Sequence, residues 1–246
     1  IVLTTPVIRC LRKKYPGAVI HYLTKKQFAG IIQSNPYVDK LILLKEDINE
    51  SIREVRNENY DCIIDLHHNL RTLRIKQALK KVPFHSFNKL NIEKWIFTNF
   101  KIKLMPHKHI VDRYMATLQS LGVVNDGCGL DYFIPEKDKV KESDIPFSHL
   151  HGFVAIAIGA AHNTKKLPVE KLKDLAEKVG YPVILLGGKG DFLNGEKIAE
   201  SDPVKIYNAC GKFSLNESAD LVRRAKLVIS HDTGLMHIAA AFKKNI

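Results

Sequence analysis

Three features of the sequence predict an α/β protein built from two doubly wound halves. Short runs of aliphatic and β-branched residues alternate with segments of helical apolar spacing along the whole chain. A polar, proline-bearing stretch over residues 125–150 separates two such alternations, so that residues 1–124 and 151–246 read as domains and 125–150 as the linker between them. Finally, Ser230-His231-Asp232-Thr233-Gly234-Leu235-Met236-His237 packs a strand end, a polar turn and a helix start into one short segment, the kind of junction at which open parallel sheets bind ligands.

The elements follow in order. Residues 7–15 have helical spacing and stop at Pro16-Gly17, and residues 19–23 form a short strand. The rhythm repeats with a helix over 28–33 ending at Asn35-Pro36, a strand over 40–44, a helix over 49–58 and a buried strand over 62–66. A basic amphipathic helix over 69–81 is expected to bury Leu70, Leu73 and Leu79 and to present Arg71, Arg74, Lys76, Lys80 and Lys81. Residues 82–108 carry scattered aromatics and a helical stretch at 92–100. A helix over 111–121, with Ile110, Tyr114, Leu118 and Leu121 on one face, ends at Gly122. The second half reads as strand 153–158, helix 169–179, strand 182–186, helix 192–200, strand 204–208, helix 215–224, a buried strand over 225–229, and an alanine-rich helix after Gly234.

Composition narrows the function classes. With 246 residues, 45% of them hydrophobic, the chain can bury a large core, which excludes a disordered or fibrous protein. Lys and Arg number 38 against 26 Asp and Glu, a formal charge of +12, which suits a polyanion, an acidic membrane surface or a charged small substrate. A nucleic-acid-binding α/β protein would interleave aromatics with Lys and Arg on one face, and no such pattern is visible. Cys10, Cys62, Cys128 and Cys210 form no C-x-x-C pair, which reads as reduced thiols in a cytosolic protein. No apolar run approaches the ~18 residues of a membrane span. The expectation is a cytoplasmic protein, peripheral at most to a membrane. Ile1 enters a helix with no strand before it, and the chain stops just after another helix, so both termini read as truncated.

Three loops of the second half, each following a strand, carry the chemistry. Gly159-Ala160-Ala161-His162-Asn163-Thr164-Lys165-Lys166-Leu167-Pro168 offers Lys165 or Lys166 to a diphosphate, or is a solvated basic loop. Gly187-Gly188-Lys189-Gly190-Asp191 permits close backbone approach to a ligand, or is an ordinary turn; it is not a Walker A sequence. At the third loop, Asp232 or Thr233 can cap the following helix, Gly234 admits a ligand, and the first-turn N–H groups favour an anion. His237, one turn beyond Thr233, can reach a phosphate or sugar hydroxyl or serve as a structural hydrogen bonder. Asp65, His67 and His68 sit at a strand end; a metal site there is disfavoured because adjacent side chains on an extended chain diverge, and a ligand-facing loop fits better.

These residues resemble the heptosyltransferases, family nine of the glycosyltransferases. The match is carried by Leu3-Thr4-Thr5-Pro6 with Asn35-Pro36-Tyr37-Val38-Asp39, by Tyr60-Asp61-Cys62-Ile63-Ile64-Asp65-Leu66-His67, and by the segment from Ser230 to Ala241. Val111-Asp112-Arg113-Tyr114 and Lys165-Lys166-Leu167-Pro168 add to it. The resemblance implies a GT-B architecture, two Rossmann-like domains facing across a cleft, and inverting, metal-independent transfer of heptose from ADP-heptose to the inner core of lipopolysaccharide, with no cofactor. It implies that the donor is held by Thr164, Lys165, Asp232, Thr233, Gly234, Leu235 and His237, with Lys165 stabilising the leaving group and Phe213 as an apolar contact to the nucleotide. The partners implied are a nucleotide-sugar and an acidic glycolipid at the inner face of the bacterial inner membrane. In the family the general base is an Asp just ahead of the segment matching Ile1, so the chain as given is expected to be inactive. Lys189 stands where some relatives have an acidic residue, and Leu167 where a Trp is frequent. A nucleotide-sugar epimerase of similar architecture is the alternative enzyme reading.

Overall fold

The computed structural model describes residues 1–104, 106–160 and 162–246. Met105 and Ala161, which fall within the 82–108 stretch and the first of the three loops, lie outside the described residues. The chain divides into two compact units: residues 1, 3–29 and 36–128, and residues 2, 30–35 and 129–246.

The first unit begins with α1 (Thr5–Lys14), where Pro6 occupies the first turn at no cost in hydrogen bonds and Val7, Ile8 and Cys10 are buried. Strand β1 (His21–Lys25), the short α2 (Ala29–Ile32) that passes into the second unit, and β2 (Lys40–Leu44) follow, with β1 and β2 parallel and His21 opposite Lys40. Helix α3 (Ile48–Asn57) is capped by Asp47, whose carboxylate accepts from Asn49 N–H at 2.9 Å. Strand β3 (Ile63–Asp65) leads into α4 (Leu70–Ala78), capped by Asn69, which accepts from the N–H groups of Arg71 and Thr72 at 3.0 Å each. Strand β4 (Phe84–Ser86) pairs in parallel with β3; helices α5 (Asn91–Phe100) and α6 (Ile110–Met115) complete the unit. Ile48, Val55, Ile75 and Leu79 form one of its core clusters, with Leu23, Leu44, Ile63 and Phe84 packed around them, and Val7, Ile8, Val111, Met115 and Leu118 are buried as well.

Several expectations fail here for identifiable reasons. Leu70 and Leu73 are exposed, while Leu79 is buried as expected and Ile75 is buried with it; at ~100° per residue Leu70 and Leu73 lie on the far side of the helix from Ile75. Ile63 and Ile64 are only half-buried, because β3 lies in a two-stranded ladder and not inside a sheet. The helix over 111–121 tightens into a 3-10 turn after Met115 and buries Val111, Met115 and Leu118, a stripe displaced by one residue from Ile110 and Tyr114. Gly122 does close it, in the left-handed conformation at φ 63°.

The second unit is a doubly wound domain. Its strands β5 (Val154–Ala157), β6 (Val183–Leu186), β7 (Ile206–Asn208) and β8 (Leu227–Ser230) form one parallel sheet in the order β7-β6-β5-β8. Helices α7 (Val169–Lys178) and α8 (Phe192–Ala199) cover one face, and α9 (Leu215–Arg224) and α10 (Gly234–Ala241) the other. Alternation along the strands supplies both cores: Ala155, Ile184, Leu186 and Val228 pack with Leu221, Val222 and Ile238, while Val154, Ile156, Val183 and Leu185 pack with Leu172, Ala176 and Ile198. Every residue of β5 and β6 is buried, as expected of central parallel strands. Strand β8 is an edge of the sheet, so Leu227 is exposed and the expectation of a fully buried strand over 225–229 is corrected.

The stretch 125–150 is not a free linker. Asp126 belongs to the first unit through Arg9, while Tyr132, Val140 and Ile145 are buried in the core of the second. Tyr132 donates to Asn216 Oδ1 at 2.6 Å, and Val140 N–H to Asp220 Oδ2 at 3.1 Å. Tyr132, Val140 and Ile145 fall at uneven spacing among charges and prolines and set no sustained periodicity, which is why the stretch reads as a linker in sequence. Among the described residues no helix is long and apolar enough to cross a membrane.

Candidate active site

The chain of the second unit runs outward from β5 through β6 to β7, then returns to place β8 on the other side of β5. Connections leaving β5 and β8 therefore diverge to opposite faces, opening a crevice beyond their carboxyl ends. The loop at 158–168 and the turn at His231-Asp232-Thr233 flank that crevice. All strands being parallel, the loop after β6 opens on the same edge.

Side chains join the three loops. Lys165, in a 3-10 turn over Asn163–Lys165, forms an ion pair with Asp232 of the β8 turn; both are exposed. Lys166 Nζ donates to Asp191 Oδ1 of the β6 loop at 2.7 Å. Leu167 N–H donates to His231 Nε2 at 2.9 Å, which fixes the imidazole proton on Nδ1, a buried atom without a partner among the described residues. The lysine loop is thus held from both sides.

The sequence-predicted residues occupy this rim to different degrees. Thr164, Lys165, Asp232 and Gly234 are exposed; Thr233, Leu235 and His237 are half-buried. Lys165 holds the Asp232 carboxyl below its ordinary range, chiefly through the hydrogen bond, with smaller help from His237. His237 N–H reaches back to Thr233 O at 3.5 Å, placing it one turn along α10 as expected. Leu235 and Phe213 both pack against the core beneath the rim.

Two expectations are corrected. Neither Asp232 nor Thr233 caps α10: Thr233 holds the cap position in extended conformation, but its hydroxyl turns to the Ser230 hydroxyl at 3.2 Å and Asp232 turns to Lys165. No side chain closes the first turn, so its positive end stays open toward the crevice, and a Cβ placed on Gly234 would meet nothing within 4 Å. Gly159 and Gly187 make room for the Asp191 side chain, while Gly190 faces open space. A Cβ on Gly159 would run into the Asp191 carboxylate, and one on Gly187 would lie 2.9 Å from Asp191 Cβ and 3.0 Å from Cys210 Sγ.

Sequence reasoning missed Asp191, Lys166 as a latch and His231 as a clamp. Asp191 is buried, accepts from Gly188 N–H at 3.0 Å and pairs with Lys166 across the rim. Its one sequence signal is the glycine cluster that leaves space for it.

In the first unit, Asp65 Oδ1 accepts from the N–H groups of His67 and His68 at 3.0 and 2.7 Å, and His68 Nδ1–H donates to Phe87 O at 2.7 Å. Burial, then Lys89, pushes the His67 imidazole below its ordinary range. The turn orders the end of β3. Among the described residues no group of three or more His, Cys, Asp or Glu is arranged to hold a metal ion.

A doubly wound unit with an open helix terminus, an exposed lysine and an open glycine beside its switch point has the chemistry of a sheet edge suited to a phosphate-bearing ligand. The comparisons make that class specific. The family model for glycosyltransferase family 9 (heptosyltransferase) matches residues 48–246. The lipopolysaccharide heptosyltransferase 1 of Campylobacter coli is 24% identical over 99% of this chain and 78% of its own length. A family 9 glycosyl transferase from Veillonella parvula superposes with a TM-score of 0.78 at 26% identity, covering 99% of this chain and 74% of its own. Escherichia coli heptosyltransferase WaaC, solved with ADP-2-deoxy-2-fluoro heptose, superposes at 0.69 with 20% identity, covering 99% and 82%. The chain belongs to glycosyltransferase family 9, the heptosyltransferases, and its α/β fold is of the GT-B type.

Proposed function

We propose that the chain moves a heptose or related sugar from an ADP-sugar to an acidic glycolipid acceptor of the lipopolysaccharide inner core, with inversion and without a metal ion. One observation carries the reading: the lysine loop and the Asp232-Thr233-Gly234 turn are bonded to each other beside the open end of α10, at the switch point of the sheet. A diphosphate laid there exchanges places with Asp232 as the partner of Lys165, and its second charge meets the first turn of the helix. That the relative WaaC was solved with an ADP-heptose analogue supports the choice of donor.

The reaction is a single displacement. An acceptor hydroxyl oxygen attacks the anomeric carbon from the side opposite the diphosphate as the bond to the diphosphate oxygen breaks. The hydroxyl proton passes to a carboxylate, which the family resemblance places ahead of the segment matching Ile1, and ADP departs with the bonding pair. Charge grows on the leaving oxygen, and Lys165 with the α10 terminus is aimed at it, the role a divalent cation plays elsewhere. Lys166, committed to Asp191, holds the loop in place. The glycolipid acceptor places the reaction at the inner face of the inner membrane, and the charge of +12 suits it.

Calorimetric titration of the chain and its Lys165→Ala variant with ADP-heptose, ADP and UDP-sugars tests the reading. A charge-assisted contact to phosphate is worth about 1.5–3 kcal/mol when shielded, and at this open rim the expected loss in ADP-heptose affinity is about tenfold. In a turnover assay, the rate should fall about a hundredfold or more. Equal affinity of the variant for ADP-heptose, or preference for UDP-sugars, refutes it.

A further inference from the structure

Helix α5 stands apart from the rest of the first unit: none of its residues is buried. It is nevertheless apolar. Ile92 is 72% exposed, Trp95 59% and Phe100 61%, and Phe97 is exposed as well. The chain that follows keeps the same character, with Ile102 and Leu104 each more than half exposed. Six large apolar side chains within thirteen residues, facing solvent and outside the core of their own unit, form a patch of the kind that marks an interaction site.

Charge decides what the patch faces. Lys89, Lys94, Lys101, Lys103 and Lys108 surround it, with Glu93 the single acidic residue between positions 89 and 108. Lys94, Lys101 and Lys103 are exposed. On the helix, Ile92, Trp95, the half-buried Ile96 and Phe100 fall within one arc at ~100° per residue, while Lys94, Phe97 and Thr98 lie opposite. Aromatic and aliphatic anchors flanked by lysines, on a helix too short to span a bilayer, have the make-up of an element that lies in the headgroup region of an anionic membrane. A protein interface core would instead be depleted of lysine.

We infer that α5 and residues 101–104 dock the first unit onto an anionic phospholipid bilayer, with Trp95, Ile92 and Phe100 entering the acyl boundary and Lys94, Lys101 and Lys103 resting on the phosphates. The patch belongs to the first unit and the lysine-loop rim to the second, and the argument stands without the acceptor assigned above. It is tested on lipid that contains no glycolipid, so that its failure leaves the transferase reading untouched and the converse.

Trp95 is the one tryptophan in the chain, so its fluorescence reports this patch alone. Vesicles of phosphatidylcholine with one-third phosphatidylglycerol should shift its emission to the blue, and acyl-brominated lipid should quench it. Pure phosphatidylcholine vesicles should bind at least tenfold more weakly, and 0.5 M salt should weaken binding to the anionic vesicles similarly. Phe100→Asp, and separately the triple change Lys94→Glu, Lys101→Glu, Lys103→Glu, should each reduce vesicle co-sedimentation tenfold or more. Both sites are exposed, so circular dichroism and ADP-heptose binding should stay at wild-type values. Unchanged Trp95 emission on anionic vesicles overturns the inference. So does a blue shift that appears with protein concentration in the absence of lipid, which would assign the patch to a second copy of the chain.

Discussion

Replacing Asp191 by alanine should loosen the donor rim without touching any group assigned to the donor. The Asp191 carboxylate accepts from Lys166 Nζ at 2.7 Å and from Gly188 N–H at 3.0 Å, and its side chain fills the space left by Gly159 and Gly187. Losing a hydrogen bond to a charged group costs about 1.5–3 kcal/mol. Gly188 is exposed and its N–H can return to water, but the Lys166 side chain is only 28% accessible and rehydrates in part. The expected loss is therefore about 2 kcal/mol, read as a lower urea midpoint at constant m-value. A double-mutant cycle with Lys166→Met isolates the pair; its coupling should be about 1–2 kcal/mol. The same Asp191→Ala protein should bind ADP-heptose more weakly, because Lys165 sits next to a lysine that has lost its anchor. Additivity of the two changes within ~0.3 kcal/mol, or wild-type donor affinity in the single variant, would show that the latch does not position the loop.

Further outcomes follow from the same contacts. Asp126 receives two hydrogen bonds from Arg9 at 2.8 and 2.9 Å and one from Lys13 at 2.6 Å, and these hold its carboxyl far below the usual range, Arg9 contributing most. A carboxyl lowered in the folded state stabilises fully above its unfolded pKa of ~3.9 and loses that contribution as pH falls through the folded value. The first unit should accordingly weaken below about pH 4. Asp126→Asn should remove that part of the acid dependence and, by taking the carboxylate charge away from the 4%-exposed Arg9 side chain, cost about 3 kcal/mol at neutral pH. Stability measured by urea unfolding from pH 3 to 7 checks both statements. Gly159→Ala should cost about 1–3 kcal/mol, because the added methyl collides with the Asp191 carboxylate. In an Asp191→Ala background most of that cost should vanish, and an equal cost in both backgrounds would count against the packing described.

The loops at the carboxyl edge of the sheet were legible in the sequence where their signals are local. Val154–Ala157 and Val183–Leu186 are aliphatic runs followed at once or within two residues by glycine, and Asp232-Thr233-Gly234 stands between a strand and an alanine-rich helix. What held no local signal was missed. The pairs Lys166–Asp191, Leu167–His231 and Lys165–Asp232 span 25, 64 and 67 positions, and nothing in either partner's neighbourhood names the other. Tyr132, Val140 and Ile145 are scattered among charges, so their burial in the second core depends on residues such as Asn216 and Asp220 more than seventy positions away. Helix α4 was partly misread for the opposite reason: three leucines stood out by type, yet only Leu79 is buried, while Ile75 takes the place expected of Leu70 and Leu73.

Topology explains why local signals sufficed for the site. In a parallel sheet every strand-to-helix loop opens on the same edge, so three loops recognised separately must share a rim whatever the strand order. The order then decides which of them can share a ligand. Return of the chain to set β8 beside β5, and not beyond β7, brings the lysine loop next to the Asp232-Thr233-Gly234 turn and sends their helices to opposite faces. Had β8 been added next to β7, the two loops would be separated by two further strands, roughly 15 Å at ~4.8 Å per strand, too far for Lys165 to reach Asp232 or for one diphosphate to touch both. The Lys165–Asp232 pair is thus the signature of the strand order, and the ion pair that a diphosphate would replace under the function proposed above.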